Sequence, residues 1–187
     1  MSKAGWRDRL TAAALAAAFA LGAPGAIAQP APGDAAPRWT LPDLDGQPVN
    51  FPDVSAGRPV ILMFWGTWCP YCKALMPRLA ALKHEFADAR LEVYMVDFAE
   101  RGDPTPAIRE MDLPVVFVSR GARVARQYRV NIVPALFIVE DGRIVYALDY
   151  PPDDHPSQQV AGGARQAALL APWWEERIRS VLIERQQ

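Results

Sequence analysis

The chain contains two cysteines, Cys69 and Cys72, which lie three residues apart. They follow the apolar run VILMFW at residues 60–65, a pattern typical of a strand that is buried on both faces. A strand therefore delivers both thiols to the start of a helix, whose N-terminus favours the thiolate of the first cysteine. With no other cysteine in the chain, the two thiols are either a redox couple or half of a metal site. We interpret them as a centre for thiol–disulfide exchange.

A metal site is the alternative chemistry for this cysteine pair, and it needs further ligands. Zinc takes four ligands in structural sites, and the histidines of the chain are His84 and His155. His84 falls within a predicted helix, where we expect a surface or boundary position. His155 falls in a loop rich in Pro and Asp, where we expect solvent exposure. The sequence therefore predicts no metal and no cofactor other than a redox-active disulfide, with copper capture by the two thiolates left as an alternative.

The elements that must position the cysteines alternate along the chain. A strand at 58–65 leads into a helix from Cys72 to about residue 89, which Pro77 is expected to kink. The order of strands and helices, closed by an antiparallel hairpin, predicts an α/β fold with a central mixed β-sheet and helices on both faces. The other predicted elements are an opening hairpin around Asp45-Gly46, strands at 91–98 and 113–118, helices at 106–111 and 120–128, a hairpin of 135–139 and 144–148 around Asp141-Gly142, and a helical pattern after Gly163 that Pro172 restarts.

The N-terminal 28 residues have the composition of a targeting segment. Lys3, Arg7 and Arg9 precede an apolar stretch at 10–21, and Ala26-Ile27-Ala28 fits the small-x-small pattern of a cleavage site. We therefore predict a signal peptide at 1–28, with an uncleaved membrane anchor as the alternative. Residues 29–37, rich in Pro, Ala and Gly, are expected to be a flexible spacer before a folded domain at 38–187.

The charge of the remaining chain excludes one class of partner. Removing the three basic residues and the single acidic residue of the leader from 20 basic and 21 acidic residues leaves a net charge of −3. This balance does not suggest a nucleic-acid partner. The leader predicts export, and we expect the domain to work in the periplasm as a monomer.

The segment around the cysteines resembles the active-site segment of the thioredoxin superfamily almost position by position. This segment is FWGTWCPYCK at residues 64–73. Pro77 matches the proline that kinks the family's first long helix, and Val133-Pro134 matches its cis-proline before the final hairpin. The segment 97–112 and the opening hairpin resemble the exported TlpA-like branch, which includes membrane-anchored and cytochrome-c-maturation reductases. The resemblance covers roughly 38–150 and the last helix, and implies a thioredoxin-like fold with an N-terminal β-hairpin and a helical insertion.

The resemblance also implies the residues of the active site. Cys69 is expected to be the nucleophile, partly exposed at the helix N-cap, with a pKa below the free value of about 8.5. Cys72, shielded by Trp65 and Trp68, would attack the Cys69 sulfur and release the reduced partner. The frame around the two cysteines comprises Trp68, Pro70, Tyr71, Val133 and Pro134.

Two positions of this frame face the partner. A cis bond at Pro134 would turn the Val133 backbone toward the cysteines, so that a partner peptide can pair with it as an added strand. Tyr71 is expected to face outward, where it either contacts a partner or is simply exposed.

Two acids of the wider family are missing from this chain. Thioredoxins have a buried aspartate at the position of Met63, and some TlpA-like reductases have a glutamate at the position of Leu75. Both acids are thought to handle the proton of the buried thiol. We therefore suggest Asp97 and Glu100, at the end of the second central strand, as substitute proton carriers for Cys72.

These features predict an exported thiol–disulfide oxidoreductase that acts on protein dithiols and disulfides. The favoured direction is reduction, with electrons from a membrane partner. Pro70-Tyr71 and the missing acids favour the alternative of a disulfide oxidase or isomerase, and a copper-binding or non-catalytic module is the third interpretation. The long segment 151–171 is expected to be flexible or, alternatively, to influence partner choice near Pro134.

Overall fold

A computed structural model describes residues 28–100 and 102–187. The leader predicted at 1–28 lies, except for its last residue, outside the described residues. Across the two described ranges, no helix has both the length and the apolar character needed to cross a membrane.

The core of the fold is a five-stranded mixed sheet with the order β5-β4-β3-β6-β7. Strands β3 and β4 pair in parallel, as do β4 and β5, whereas β6 pairs antiparallel with both β3 and β7. The sheet is flanked by helices, as predicted. Its strands are β3 (Val60–Trp65), β4 (Glu92–Asp97), β5 (Val116–Val118), β6 (Ala135–Glu140) and β7 (Arg143–Ala147). A separate hairpin of β1 (Trp39–Pro42) and β2 (Pro48–Phe51) precedes the sheet.

Strand β3 lies at the centre of the sheet because all six of its side chains are apolar and buried. A strand with neighbours on both edges and cover on both faces leaves no side that favours a polar residue. In register, Phe64 pairs with Val96 of β4 and with Ala135 of β6. This pairing places the C-terminal ends of β3 and β4 beside the start of β6, at the end of the sheet where β3 leads into the cysteine segment.

The two predicted hairpins are confirmed, and local turn chemistry explains both. In the first, the Asp43 carboxylate accepts hydrogen bonds from the N–H groups of Asp45 (2.9 Å) and Gln47 (2.8 Å). In the second, Asp141 and Gly142 have φ angles of 49° and 75°. Asp tolerates the left-handed region better than most residues, and Gly enters it without strain, so the pair suits a tight hairpin turn.

In the part of the chain that the structure describes, four α-helices connect and cover the strands. They are α1 (Pro70–Glu85), α2 (Thr105–Met111), α3 (Ala122–Gln127) and α4 (Ala164–Glu184). Pro77 lies inside α1, and α2 forms the helical insertion between β4 and β5. The prediction that Pro172 restarts the last helix was wrong, because α4 continues through it. Buried residues on both sides of Pro172, from Ala167 to Leu182, hold the helix against the core and outweigh one missing backbone hydrogen bond.

Two segments predicted to be flexible are held by the fold. In the expected spacer, the N–H groups of Gly33 and Ala36 donate to the carbonyls of Ile144 (2.8 Å) and Gly142 (2.9 Å). Within 151–171, residues Pro156–Gln159 form a short 3-10 helix, Ser157 is fully buried, and α4 begins at Ala164. The spacer contacts have no local sequence signal, because their partners Ile144 and Gly142 come from a distant part of the chain.

Candidate active site

The two cysteines lie where β3 meets α1, and they form a disulfide with a Cα–Cα distance of 5.3 Å. Cys69 is the N-cap of α1 and has extended backbone angles, and Pro70 occupies the first helical position. The N–H of Cys72 donates to Cys69 Sγ at 3.1 Å. The first sulfur therefore takes the place that a capping oxygen takes in other helices, where the helix N-terminus stabilises negative charge.

The loop before β6 lies beside this sulfur. The Val133–Pro134 peptide bond is cis, and Cys69 Sγ lies 3.6 Å from the Val133 carbonyl oxygen. The antiparallel pairing of Phe64 with Ala135 explains why the Val133 carbonyl lies near Cys69. Phe64 is at the end of β3, which leads into the cysteine segment, and Ala135 directly follows Pro134. The structure thus brings together Cys69, Cys72, Val133 and Pro134, which the sequence analysis assigned to one site.

The expected partial exposure of Cys69 was wrong, because the residue is 1% exposed and Cys72 is fully buried. Trp68, in contrast, is 55% exposed. Its indole lies so close to Gly66 that a Cβ on that glycine would be 2.7 Å from Trp68 Nε1. The buried Trp65 ring meets Phe117 edge to face, with 5.5 Å between ring centres. A partner must therefore reach Cys69 at the edge of a largely covered site, beside an exposed tryptophan.

The Glu100 carboxylate supports the loop that carries the cysteines. It accepts hydrogen bonds from the N–H of Thr67 (2.5 Å) and from Thr67 Oγ1 (2.8 Å). Thr67 lies two residues before Cys69. A carboxylate that receives two hydrogen bonds from one residue fixes that residue in place.

The Asp97 carboxylate supports a second loop, the one that leads into α3. It accepts hydrogen bonds from the N–H groups of Arg120 (3.2 Å) and Gly121. Burial raises the pKa of Asp97 above its usual value, as does the charge of Glu100, while the two backbone hydrogen bonds oppose the shift. Met63 and Leu75, at the positions of the missing acids, are fully buried. The role of Asp97 and Glu100 as proton carriers for Cys72 stays a prediction.

The prediction that Tyr71 faces outward was wrong. Its ring is half-buried, its hydroxyl donates to Gln166 Oε1 at 2.5 Å, and the N–H of Gly163 donates to the same hydroxyl at 3.1 Å. Tyr71, one of the two residues between the cysteines, is thus bonded to the start of α4. Sequence reasoning missed Gln166, because it lies 95 positions from Tyr71 and belongs to no motif.

A cavity of about 260 Å³ opens beside the cis-proline loop. It is lined by Val133 and Pro134, by Tyr71, and by residues of the 150–158 segment and α4. Sequence reasoning singled out Tyr71, Val133 and Pro134, and it suggested the segment 151–171, which supplies Pro151, Ser157, Gln158, Gln166 and Leu170, as an influence on partner choice near Pro134. It missed the remaining lining residues, which are Ile132, Tyr150 and Trp174.

The two histidines lie apart from the disulfide in different settings. His84 is exposed on α1. His155 is half-buried rather than exposed, because its Nδ1 accepts a hydrogen bond from the N–H of Ser157 (3.2 Å) and its ring meets Trp173 edge to face, with 5.9 Å between ring centres. His155 therefore serves to build the 3-10 turn.

Comparison with known proteins gives a consistent family. A family model described as the AhpC/TSA family matches residues 32–147. The thiol-disulfide oxidoreductase ResA of Bacillus cereus is 29% identical over 116 residues, which are 60% of this chain and 66% of ResA. The thioredoxin-like protein YneN of Bacillus subtilis is 28% identical over 119 residues, 60% of this chain and 68% of YneN. The matched region thus spans slightly less than two thirds of ResA.

Solved structures share the fold. The thioredoxin domain of a thiol-disulfide oxidoreductase from Bacteroides vulgatus is 27% identical, with a TM-score of 0.58 over 66% of this chain and 91% of that domain. StoA from Bacillus subtilis is 20% identical, with a TM-score of 0.52 over 74% of this chain and 96% of StoA. The thioredoxin-like fold predicted from the sequence is therefore confirmed.

Proposed function

Because this chain belongs to the AhpC/TSA family of thioredoxin-like proteins, we propose that it is an exported thiol–disulfide oxidoreductase that reduces disulfides in protein partners. The observation that carries the proposal is the hydrogen bond from the Cys72 N–H to Cys69 Sγ at the N-terminus of α1. This arrangement gives one sulfur a stabilised thiolate and places a second sulfur within bonding distance of it. Relatives named thiol-disulfide oxidoreductases support the same activity.

Reduction proceeds through a mixed disulfide. The Cys69 thiolate attacks one sulfur of the partner disulfide, so that a Cys69–partner bond forms, the partner bond breaks, and the leaving thiolate takes up a proton. Cys72 then loses its proton and attacks Cys69 Sγ. The Cys69–Cys72 bond forms, the mixed disulfide breaks, and the second partner thiolate takes up a proton.

The balance of this exchange requires a reductant. Cys69 and Cys72 each give up one proton. In total, two electrons and two protons pass to the partner, and this chain ends as the disulfide. A dithiol must reduce it again, and we assign that role to a membrane electron-transfer partner. Because the N-terminal sequence carries a leader pattern, we place both exchanges in the periplasm.

The frame residues guide the partner. Val133 and Pro134 adjoin the Cys69 sulfur, and their backbone offers a strand edge with which an extended partner peptide can pair. Because proline has no N–H, Pro134 leaves no competing donor beside the sulfurs. Trp68 and Pro70 border the same sulfur along the chain.

The proton of Cys72 needs an acceptor, and we assign this role to Asp97 with Glu100 beside it. The pKa of Asp97 is raised by burial, which brings the carboxyl closer to the range where it exchanges protons near neutral pH. Asp97→Asn is expected to shift the pH profile of reduction. An unchanged profile would remove Asp97 from the mechanism.

The reduction potential tests the direction of exchange. Equilibration with glutathione redox buffers, followed by mass spectrometry of alkylated cysteines, gives the potential of the Cys69–Cys72 couple. A value near that of thioredoxin, about −270 mV, fits a reductase. A value near that of the strong oxidant DsbA, about −120 mV, would instead support the oxidase alternative.

Insulin reduction tests the activity itself. The dithiol form is expected to precipitate insulin chains, and Cys69→Ser and Cys72→Ser are expected to abolish turnover. Full turnover by Cys69→Ser would overturn the proposed function. His84→Ser, an exposed position on α1, is the control for substitution to serine and is expected to react like the wild type.

A further inference from the structure

We propose that the arginine face of this chain, formed by Arg120, Arg123, Arg126 and Arg129, binds the anionic headgroups of a phospholipid membrane. The contact holds the domain at the membrane surface, where the proposed function places the electron-transfer partner. This inference rests on the proposed export, and it adds an interaction surface outside the redox site.

The four arginines lie on the solvent side of the segment that contains α3. They recur at every third position of 120–129, and all four are exposed. The opposite side of the segment consists of Val124, Ala125 and Tyr128, which are buried. The packing of these three residues fixes which side of α3 meets the core, so the arginines form one continuous basic surface.

The charges of the arginine face lack a counter-charge within the described part of the chain. The ion pairs found there, such as Arg78 with Glu175 and Lys83 with Glu92, involve none of its four members. Segment 120–130 also contains no acidic residue. Like charges one helical turn apart repel each other. An anionic surface outside the molecule would relieve this repulsion.

The path of the chain brings the arginine face to a membrane. The Arg129 guanidinium donates to the Ala28 carbonyl oxygen, and the Arg129 carbonyl oxygen accepts a hydrogen bond from Gln29 Nε2 at 3.3 Å. The apolar stretch of the predicted leader ends at residue 21, so residues 22–28 separate it from this contact. A chain of that length reaches at most about 25 Å. A leader that enters the membrane therefore delivers the arginine face to the headgroups.

The spread of the four charges favours a membrane over a small anion. Positions 120–129 extend over roughly 14 Å at the rise of a helix. A single phosphate group can contact one or two arginines of such a row, whereas a plane of lipid headgroups can contact all of them. Basic residues on one side of an amphipathic segment are typical of binding to anionic lipids.

The charge of the rest of the domain favours one orientation on the membrane. Without the leader the chain has a net charge of −3, so an anionic surface repels most of it and attracts the arginine face. At one end of this face, the Arg120 N–H donates to the Asp97 carboxylate at 3.2 Å. Asp97 ends β4, at the end of the sheet that carries the cysteines. The preferred orientation thus brings the redox site toward the membrane.

Vesicle binding provides the test. The full chain is expressed with its own leader in a Gram-negative host and extracted at high salt, which leaves any membrane-anchored protein behind. It is then sedimented with vesicles of phosphatidylcholine alone or of phosphatidylcholine and phosphatidylglycerol in equal parts. We expect binding to the phosphatidylglycerol vesicles and release at about 1 M salt, where the Debye length falls to about 3 Å. Equal binding to both kinds of vesicle, or binding to neither, would overturn the inference.

Charge removal identifies the surface responsible. The double variant Arg123→Gln with Arg126→Gln is expected to bind the phosphatidylglycerol vesicles about 25-fold more weakly, since each basic residue contributes about fivefold at an anionic surface. The double variant Arg123→Lys with Arg126→Lys retains both charges and is expected to bind within about threefold of the wild type. Wild-type binding by the glutamine variant would refute the assignment of this face.

A second pair of arginines controls for net charge. Arg109 on α2 and Arg165 on α4 are both exposed, and Arg109→Gln with Arg165→Gln changes the net charge by the same amount. This variant is expected to keep the wild-type affinity for phosphatidylglycerol vesicles. An equal loss in the two glutamine pairs would mean that total charge determines binding, and the arginine face would lose its role.

Insulin reduction by the same samples separates this inference from the proposed function. Arg123 and Arg126 lie outside the redox site, so their variants should reduce insulin like the wild type. A protein that reduces insulin but ignores the phosphatidylglycerol vesicles retains its proposed activity and loses the membrane contact. A protein that binds these vesicles through the arginine face but cannot reduce insulin keeps the contact and loses the proposed activity.

Discussion

The N–H of Cys72 donates to Sγ of Cys69 at 3.1 Å, so the backbone of the second cysteine stabilises the sulfur of the first. This relationship makes the two cysteines chemically unequal although both are buried. Cys69 has the helix N-terminus and a backbone donor, and Cys72 lies within the first turn of α1. The order of events, attack by Cys69 and release by Cys72, follows from this asymmetry.

The asymmetry predicts the acidity of the reduced protein. In Cys72→Ser the N–H of residue 72 is retained, so the pKa of the Cys69 thiol should fall below the free value of about 8.5 because the helix N-terminus favours the thiolate. The rate of iodoacetamide alkylation as a function of pH measures this pKa. Cys69→Ser is the control, and its remaining buried thiol should alkylate slowly throughout. A Cys69 pKa at or above the free value would contradict the assignment of Cys69 as the nucleophile.

The close contact of Gly121 with Asp97 predicts a large loss of stability on substitution. A Cβ at Gly121 would lie 2.3 Å from the Asp97 carbonyl oxygen, which is backbone and cannot rotate away. Gly121→Ala should therefore lower the free energy of unfolding by about 2–3 kcal/mol, as overpacking does. Gly102→Ala is the control, because no heavy atom lies within 4 Å of its added Cβ, and it should stay within about 0.5 kcal/mol. Urea unfolding measures the free energy of unfolding of both variants. Equal losses in the two variants would refute the close contact at Gly121.

The raised pKa of Asp97 predicts how stability depends on pH. The folded state holds the Asp97 proton more tightly than the unfolded chain, whose carboxyl has its ordinary pKa near 3.8. The contribution to stability is therefore full below that value, and it is lost as the pH rises through the higher pKa of the folded state. Urea unfolding gives the free energy of unfolding of the wild type and of Asp97→Asn. The wild-type value minus the variant value should be larger at pH 3.5 than at pH 7. A difference in the opposite direction would show that the backbone hydrogen bonds outweigh burial.

The hydrogen bonds of Tyr71 predict a local effect of removing its hydroxyl. Tyr71→Phe keeps the ring but leaves Gln166 and the Gly163 N–H without this partner. We expect a loss of about 1 kcal/mol and faster amide hydrogen exchange in residues 151–163, since the end of this segment is released. Tyr150→Phe, at an exposed position, is the matched control and should leave exchange unchanged. Unchanged exchange in Tyr71→Phe would mean that other contacts hold the segment.

Local sequence signals were sufficient for the elements around the cysteines. The apolar run of β3, the cysteine spacing and Val133-Pro134 each have a meaning that does not depend on distant residues, and the fold that they predicted is confirmed. The turn residues Asp141 and Gly142 predicted their hairpin for the same reason.

Contacts between distant segments could not be predicted in the same way. The bond from Tyr71 to Gln166, the pairing of Gly33 with Ile144 and the passage of α4 through Pro172 all depend on tertiary packing. An outward-facing tyrosine and a restarted helix were the expectations that these contacts overturned. The burial of Cys69 belongs to the same group, because the cover over a residue depends on the loops that surround it.

Trapping of the mixed disulfide tests the central claim most directly. When reduced Cys72→Ser is mixed with a protein disulfide such as insulin, Cys69 should form a bond that nothing inside the chain can displace. Intact-mass spectrometry should then show a covalent 1:1 adduct that dithiothreitol removes, and Cys69→Ser should show none. An adduct on Cys69→Ser with none on Cys72→Ser would contradict the account, because the buried second sulfur would then be the one that attacks.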